Sequence, residues 1–340
     1  MQIKINTELI KLTKANREAT LARATDIIKS GGLVVFPTET VYGLGANVFD
    51  EEALKKIFEA KGRPSDNPII VHVATREQLL NLVESISVLE QELIDNFWPG
   101  PLTVIIKKKK DISNVLSGGL DTIAVRMSSH HFVQDLILSL GAPIAAPSAN
   151  ISGRPSGTTG EHAYEDLKGR VDLIIDDGIS EIGLESTVVK VVGNSVLILR
   201  AGAITKEMIE QVMPETEVFF ATEKKDLNAS PGTRYRHYAP KAPLEIVSPD
   251  KMVKYVSELE AQGKKVGVIT TTQNEKFLKS RGDIFIIGSQ DNLKEISQSF
   301  YQALRFFDDH PVDVILCESF REEGIGIAIM DRLKKATGAW

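Results

Sequence analysis

The chain of 340 residues is long enough for two domains at roughly 100–200 residues each, and its 42% apolar and 25% charged content is that of an ordinary globular protein. A formal net charge of −6 argues against a protein whose main task is coating nucleic acid, because that binding is driven by phosphate neutralisation with excess Lys and Arg. With Cys317 as the single cysteine, neither a disulfide framework nor a thiolate metal cluster can form within one chain.

Residues 19–30 predict a helix with Ala19, Ala22, Ile27 and Ile28 at its apolar positions, stopped by Gly31 and Gly32. LVVFP (33–37) reads as a short buried strand ended by Pro37. Asp50 is placed to cap a helix running to Lys61, with Glu51 and Glu52 in its first turn. PIIVHVA (68–74) reads as a strand and 76–96 as helical. Strands are expected near 102–108, 121–127, 143–147, 171–176, 184–192 and 195–200, and helices near 130–140, 160–168 and 205–213. The two kinds of element interleave without strict one-to-one order, which predicts an α/β fold with a mixed sheet and helices against it.

Residues 214–243 are polar, punctuated by proline and without periodicity, which is the signature of a linker. After it come LEIVS, a helix at 250–262, KKVGVIT, DIFIIG, a helix at 291–308, VDVILCES and a helix near 326–336. That run predicts a small parallel-sheet domain. The expected domains are therefore 1–213, a linker at 214–243, and 244–340. No apolar run approaches the ~20 residues needed to span a bilayer. The N-terminal MQIKINTELIKL lacks the apolar core of a signal peptide, so a reduced, cytoplasmic setting is expected.

Six segments could carry chemistry. In LKKIFEAKGRPSDNP (54–68), Leu54, Ile57 and Phe58 form an apolar stripe, and Lys61 falls at i+7 from Leu54 on the same face. A lysine there either snorkels or meets an anion. Lys61 and Arg63 together offer a point charge and a fork suited to phosphate oxygens, or simply a solvated basic helix end. PTETVYGLGAN (37–47) supplies Thr38 and Thr40 with Gly43 and Gly45; it fits neither a dinucleotide fingerprint nor a Walker A loop and by itself reads as a turn. In DTIAVRM (121–127), strand alternation puts Thr122, Ala124 and Arg126 on one face, for a carboxylate ligand or an edge salt bridge. PIAAPSANISGRPSGTT (143–159) ends a strand of small residues with Ser148 and Asn150, followed by Ser156, and Thr158 or Thr159 can cap the next helix. GLESTVVKVV (183–192) with ILRAG (198–202) brings Ser186, Thr187 and Arg200 to strand ends. SPGTRYRHYAPKAP in the linker crowds cations and aromatics into Arg234–Tyr238, a pattern that stacks on bases and neutralises phosphate, or that of a linker lying on its own domains. The lysines at 107–110 read as a solvated strand end, and His130 and His131 as the start of a helix.

Taken in order, FPTETVYGLGAN, KGRPSDNPIIVH, WPGPLT, GGLDTIAVRM, APSANISGRPS, ESTVV, LRAG and SPGTRYRHYAPKAPL resemble the Sua5 branch of the YrdC/Sua5 family, the threonylcarbamoyl-AMP synthases. The resemblance covers nearly the whole chain. It implies a twisted mixed-sheet YrdC-like domain joined to a smaller Rossmann-like C-terminal domain, with the linker folding over the active site. It also implies a nucleotidyltransferase that converts L-threonine, bicarbonate and ATP to threonylcarbamoyl-adenylate and pyrophosphate. The product would feed N6-threonylcarbamoyladenosine formation in tRNA through a separate Kae1/TsaD-type threonylcarbamoyl transferase. By motif match, Thr40, His72, Arg126 and Ser186 would hold threonine, with Thr122 and Ser148 bordering that pocket. Lys61, Arg63, Asn67, Asn150, Ser156 and Arg200 would hold ATP, and Tyr235 and His237 would close over it. Lys61 and Arg63 would be the catalytic pair, with Mg²⁺ carried by ATP and no protein metal site. The rival readings are a double-stranded RNA-binding module, or at least a weak RNA contact, and a carbamoyltransferase using carbamoyl phosphate. Hydroxyls and small residues at strand ends favour the synthase over an RNA binder, which needs only spread Lys and Arg.

Overall fold

The computed structural model describes residues 5–222, 237–278 and 283–338. The chain forms two compact units. Among the described residues, the first holds 5–152, 156–181 and 185–222, and the second holds 153–155, 182–184 and the remainder from 237 onward.

The first unit is built on a mixed sheet of eleven strands. They are β1 (Glu8–Lys11), β2 (Val34–Phe36), β3 (Gly43–Asn47), β4 (Ile70–His72), β5 (Leu102–Lys107), β6 (Thr122–Arg126), β7 (Ile144–Ala145), β8 (Leu173–Asp176), β9 (Thr187–Val192), β10 (Ser195–Arg200) and β11 (Glu217–Phe220). Their order across the sheet is β1-β8-β2-β3-β7-β4-β6-β5-β9-β10-β11. Its helices are α1 (Arg17–Lys29), α2 (Glu51–Lys61), α3 (Arg76–Leu82), α4 (Val88–Phe97), α5 (Asn114–Ser117), α6 (His131–Leu140), α7 (Gly160–Leu167) and α8 (Lys206–Val212).

Strand alternation divides the apolar residues between the two faces. One face carries Val35, Leu44, Val71, Val104, Val125 and Val189, and packs on Leu54, Ile57 and Phe58 of α2 and Leu93 of α4 in the main core. Burying each such side chain contributes about 1.5–3 kcal/mol. On the opposite face, Val34, Phe36, Ile144 and Leu173 pack under Ala24 and Ile28 of α1 and Phe132, Val133, Leu136 and Ile137 of α6. Farther along that face the strands carry a small patch of Ile70, Ile105, Ala124, Val188, Leu197 and Leu199, to which no helix among the described residues contributes. Polar side chains therefore have room on the strands β4, β6, β5, β9 and β10.

Local signals placed the helices well. Asp50 Oδ1 accepts the Ala53 N–H at 3.0 Å and starts α2, and Gly62, at φ 60°, ends it in the left-handed conformation. Thr159 caps α7 by accepting from the His162 N–H at 3.1 Å. Four expectations need correction. The expected helix over 76–96 is two helices: Val83 leaves α3 to bridge Lys108, and Ser87 with Glu90 forms a capping box that starts α4. GLGAN is strand β3 rather than part of a turn; a Cβ at Gly45 would stand 2.4 Å from the Phe36 ring, so the glycines make room for Phe36 rather than for a ligand. The expected linker begins too early, because Glu217–Phe220 pairs with β10 as an edge strand. Lys108 is not solvated: it is buried, with Nζ donating to Ile112 O at 2.7 Å.

The second unit has four parallel strands, β12 (Leu244–Val247), β13 (Val266–Thr271), β14 (Asp283–Gly288) and β15 (Val314–Glu318), in the order β12-β15-β13-β14. Its helices are α9 (Met252–Ala261), α10 (Thr272–Leu278), α11 (Leu293–Asp309) and α12 (Ile325–Thr337). Val247, Met252, Val256, Val268, Val314 and Leu316 form part of its core. At the carboxyl end of β15 the buried Glu318 accepts from Thr270 Oγ1, from Thr271 N–H and Oγ1, and from Asn274 Nδ2. No helix among the described residues is long and apolar enough to cross a membrane.

Candidate active site

The strand register assembles a row of side chains on the part of that face to which no described helix contributes. His72 of β4 is paired with Arg126 of β6, Arg126 with Thr103 of β5, Thr103 with Val188 of β9, and Val188 with Arg200 of β10. Residues in register share a face, so four of these five put polar side chains side by side.

Hydrogen bonds join the row into a network. Arg126 is buried; its Nη1 donates to Thr40 Oγ1 at 2.8 Å and its Nε to Gly100 O at 3.2 Å. Thr40 and Thr38 share a bond between their hydroxyls at 2.9 Å. Thr103 and Ser186 hydroxyls lie 2.7 Å apart, and Arg200 donates from Nε to Ser186 O and from Nη2 to Ser186 Oγ, both at 3.1 Å. Gly202 permits this turn: a Cβ there would stand 2.4 Å from the Thr187 nitrogen.

Charges in the network are unusual. Burial alone would push the Glu39 carboxyl up, but Arg126 beside it and hydrogen bonds from Ser128, Arg126 and Ser129 outweigh that and bring it down to about 2. Burial, reinforced by the Arg126 charge, drives His72 down to about 3, with Glu39 opposing in part. The imidazole is therefore neutral at pH 7, and its Nδ1 has no hydrogen-bond partner among the described residues.

A second group centres on α2. Lys61 continues the apolar stripe, as its i+7 spacing from Leu54 predicts, and is only 1% exposed. It is not a solvated helix end. Its Nζ lies 2.5 Å from both Ser148 O and Asn150 O and 3.5 Å from Asn150 Oδ1. Ser148 Oγ donates to Asn150 Oδ1 at 2.6 Å. The loop after β7 is stitched to β3 and the residue before it by Leu44 N–H to Pro147 O, Ala149 N–H to Tyr42 O and Tyr42 N–H to Gly157 O. Arg63, half-buried, donates from Nη2 to Pro68 O at 2.8 Å and from Nε to Asn67 O at 3.4 Å. The Asn67 side-chain amide is fully buried, and neither its nitrogen nor its oxygen has a hydrogen-bond partner among the described residues. Ser156 Oγ donates to Glu185 Oε1 at 2.6 Å, tying this loop to the residue before Ser186.

The hydrogen bonds group the expected residues differently from the motif-based split. Ser148, expected beside threonine, joins Lys61 and Asn150; Arg200, expected on ATP, joins Ser186 and Thr103. Thr122 shares the face of Arg126 but stands four residues away on β6, roughly 13 Å at 3.3 Å per residue. Tyr235 lies outside the described residues. His237 is buried in the second unit, its ring 5.5 Å from that of Tyr238. Sequence reasoning passed over Glu39, Thr103, Ser128 and Glu185. Glu39, Thr103 and Glu185 lie inside the motifs given above, but nothing local marks a residue whose partner lies 89 positions away, as Ser128 does from Glu39.

Buried polar groups are normally bonded, so those on this face without a partner among the described residues point to a ligand site. The fold and this site define an α/β enzyme domain for a small charged ligand, followed by a parallel-sheet unit. Residues 26–202 match the Sua5/YciO/YrdC family model, described as telomere recombination, and residues 204–338 match the threonylcarbamoyl-AMP synthase C-terminal domain. A threonylcarbamoyl-AMP synthase of Pyrococcus abyssi is 44% identical over 340 residues, covering 98% of each chain. One of Bacillus subtilis is 44% identical over 322 residues, covering 94% of this chain and 93% of that one. The crystal structure of P. abyssi Sua5 complexed with L-threonine superposes with a TM-score of 0.88 at 41% identity, covering 98% of each chain. The chain belongs to the Sua5/YciO/YrdC family, in the branch that carries the Sua5 C-terminal domain.

Proposed function

We propose that this chain is an L-threonylcarbamoyl-AMP synthase, which makes threonylcarbamoyl-adenylate, pyrophosphate and water from L-threonine, bicarbonate and ATP. The observation that carries the reading is similarity over 98% of both chains to a Sua5 complexed with L-threonine. The network around Arg126 supports it, since a fixed guanidinium beside hydroxyls and a neutral imidazole suits an amino acid's carboxylate and hydroxyl.

In this mechanism Thr40, His72, Arg126 and Ser186 hold threonine. The amine attacks the bicarbonate carbon, a C–N bond forms and water leaves, giving an N-carboxylate. One of its oxygens attacks the α-phosphate of ATP, and pyrophosphate departs. No side chain needs to form a covalent intermediate, so rate comes from proximity and charge stabilisation. Lys61 and Arg63, with Arg200, Asn67, Asn150 and Ser156, would hold and neutralise the nucleotide. Glu185 beside Ser156 is an oxygen donor of the kind Mg²⁺ accepts, so these two residues would meet a Mg²⁺ arriving on the phosphates. Mg²⁺ would offset phosphate charge there. The product would pass to a Kae1/TsaD-type transferase that modifies tRNA.

The test is mass-spectrometric detection of threonylcarbamoyl-adenylate after incubation with ATP, L-threonine and bicarbonate, omitting each in turn. Product that requires all three supports the reading. Consumption of carbamoyl phosphate without ATP would move the chain to the carbamoyltransferases.

A further inference from the structure

The Arg126 network holds an acidic group that ligand recognition alone does not call for. Glu39 lies between Thr38 and Thr40 and is 6% exposed. Its Oε1 stands 2.6 Å from Arg126 Nη2 and accepts from the Ser129 N–H at 3.1 Å, and its Oε2 accepts from Ser128 Oγ. Two backbone-adjacent donors and a guanidinium thus satisfy one buried carboxylate.

The arrangement fixes Arg126 from several sides. Its Nε is held by Gly100, its Nη1 by Thr40, and its Nη2 is drawn toward Glu39. The Nη2 contact is a short ion pair, which occupies at most one of the two Nη2 N–H groups. Of the five guanidinium N–H groups, at least one on Nη2 therefore has no acceptor among the described residues and is held in a fixed direction.

The charge balance matters as much. A lone buried arginine draws phosphate as readily as carboxylate. Here Glu39 cancels the Arg126 charge, and the neighbouring His72 ring is neutral. The Arg126 and His72 end of the pocket is therefore polar without net charge, whereas Arg200, bonded to Ser186, and Lys61 and Arg63 on α2 and its following loop are cations. A neutral, dipolar pocket suits a zwitterion, and disfavours a polyanion that would have to give up water without a net positive partner.

We propose that Glu39 is a positioning and specificity residue, holding the Arg126 fork in place and cancelling its charge so that the pocket accepts a zwitterionic amino acid and rejects phosphate-bearing anions. The proposal rests on the threonine-site reading above.

The test compares wild type with Glu39→Gln, which keeps the shape and removes the charge. The KM for L-threonine should rise about 10-fold or more with little change in the KM for ATP. Inorganic phosphate should become a competitive inhibitor against threonine, with an inhibition constant at least about 10-fold lower than in wild type. Phosphate inhibition is the readout that a merely structural role would not move. In the background of Arg126→Gln, adding Glu39→Gln should change threonine KM no further, because the effect runs through Arg126. Should Glu39→Gln fail to fold, Ser128→Ala removes one support of the carboxylate and should shift both constants in the same direction by about 2- to 5-fold. A folded Glu39→Gln, or in its absence Ser128→Ala, with wild-type threonine KM and wild-type phosphate sensitivity overturns the proposal. Wild-type protein that makes no threonylcarbamoyl-adenylate overturns the functional reading instead.

Discussion

Lowering the pH from 7.5 to 5.5 should leave His72 uncharged. A histidine with the ordinary pKa of about 6.5 would be about 90% protonated at pH 5.5. His72 is held at about 3, first by burial and then by the Arg126 charge, against a partial pull from Glu39. At that value less than about 1% of the ring is charged at pH 5.5. A difference of about 3.5 pH units corresponds to about 5 kcal/mol in favour of the neutral ring. The folded pKa lies below the unfolded one, so the unfolded chain binds the extra proton between them. The stability this residue contributes is complete above pH about 6.5, and falls by about 1.4 kcal/mol per pH unit as pH drops toward the folded value. Histidine Cε1–H resonances followed by NMR give the assay, with His72→Asn identifying the peak. The His72 peak should hold its position down to pH about 4 and show no midpoint near 6.5. Urea midpoints of the Asn variant should fall less steeply between pH 6.5 and 4.5 than those of wild type. A His72 peak titrating between pH 6 and 7, or identical pH slopes for both proteins, would falsify the argument that burial and Arg126 keep this ring neutral.

Lys61→Ala and Arg63→Ala should each lower turnover by at least about 10²-fold in a threonine- and bicarbonate-dependent pyrophosphate release assay, and wild-type rates would contradict their assignment. Arg200→Lys keeps the charge but loses the two-nitrogen grip on Ser186, so kcat/KM should drop about 10-fold while the thermal transition stays in place; an unchanged kcat/KM would remove Arg200 from the site. Glu318→Ala leaves the donors on Thr270, Thr271 and Asn274 without their shared carboxylate and should destabilise the second unit by about 3 kcal/mol, read as a lower urea midpoint; equal midpoints would show that those donors find water.

Much of this protein is legible along the chain because it depends on neighbours in sequence. The stripe Leu54, Ile57, Phe58 and Lys61 follows from helical periodicity, the start at Asp50 and stop at Gly62 from capping chemistry, and the shared face of Thr122, Ala124 and Arg126 from strand alternation. The alternation of strand and helix after residue 243 announced a parallel sheet for the same reason. Motif order pointed to the family, and with it to Lys61, Arg126, Ser186 and Arg200.

Tertiary structure alone decided which of those residues meet. His72, Arg126, Thr103 and Arg200 come from four strands, and only sheet register sets them side by side. Gly43 and Gly45 read as a turn along the chain; only the paired strand shows that they leave the space Phe36 occupies. Lys61 could have been solvated or buried; the carbonyls of Ser148 and Asn150 that decide the matter lie 87 and 89 residues away. Glu39 carried no local signal at all, because its meaning is an ion pair across a sheet. Periodicity and caps are short-range and survive in sequence, whereas charge pairing and register are long-range contacts that exist only once the chain has folded.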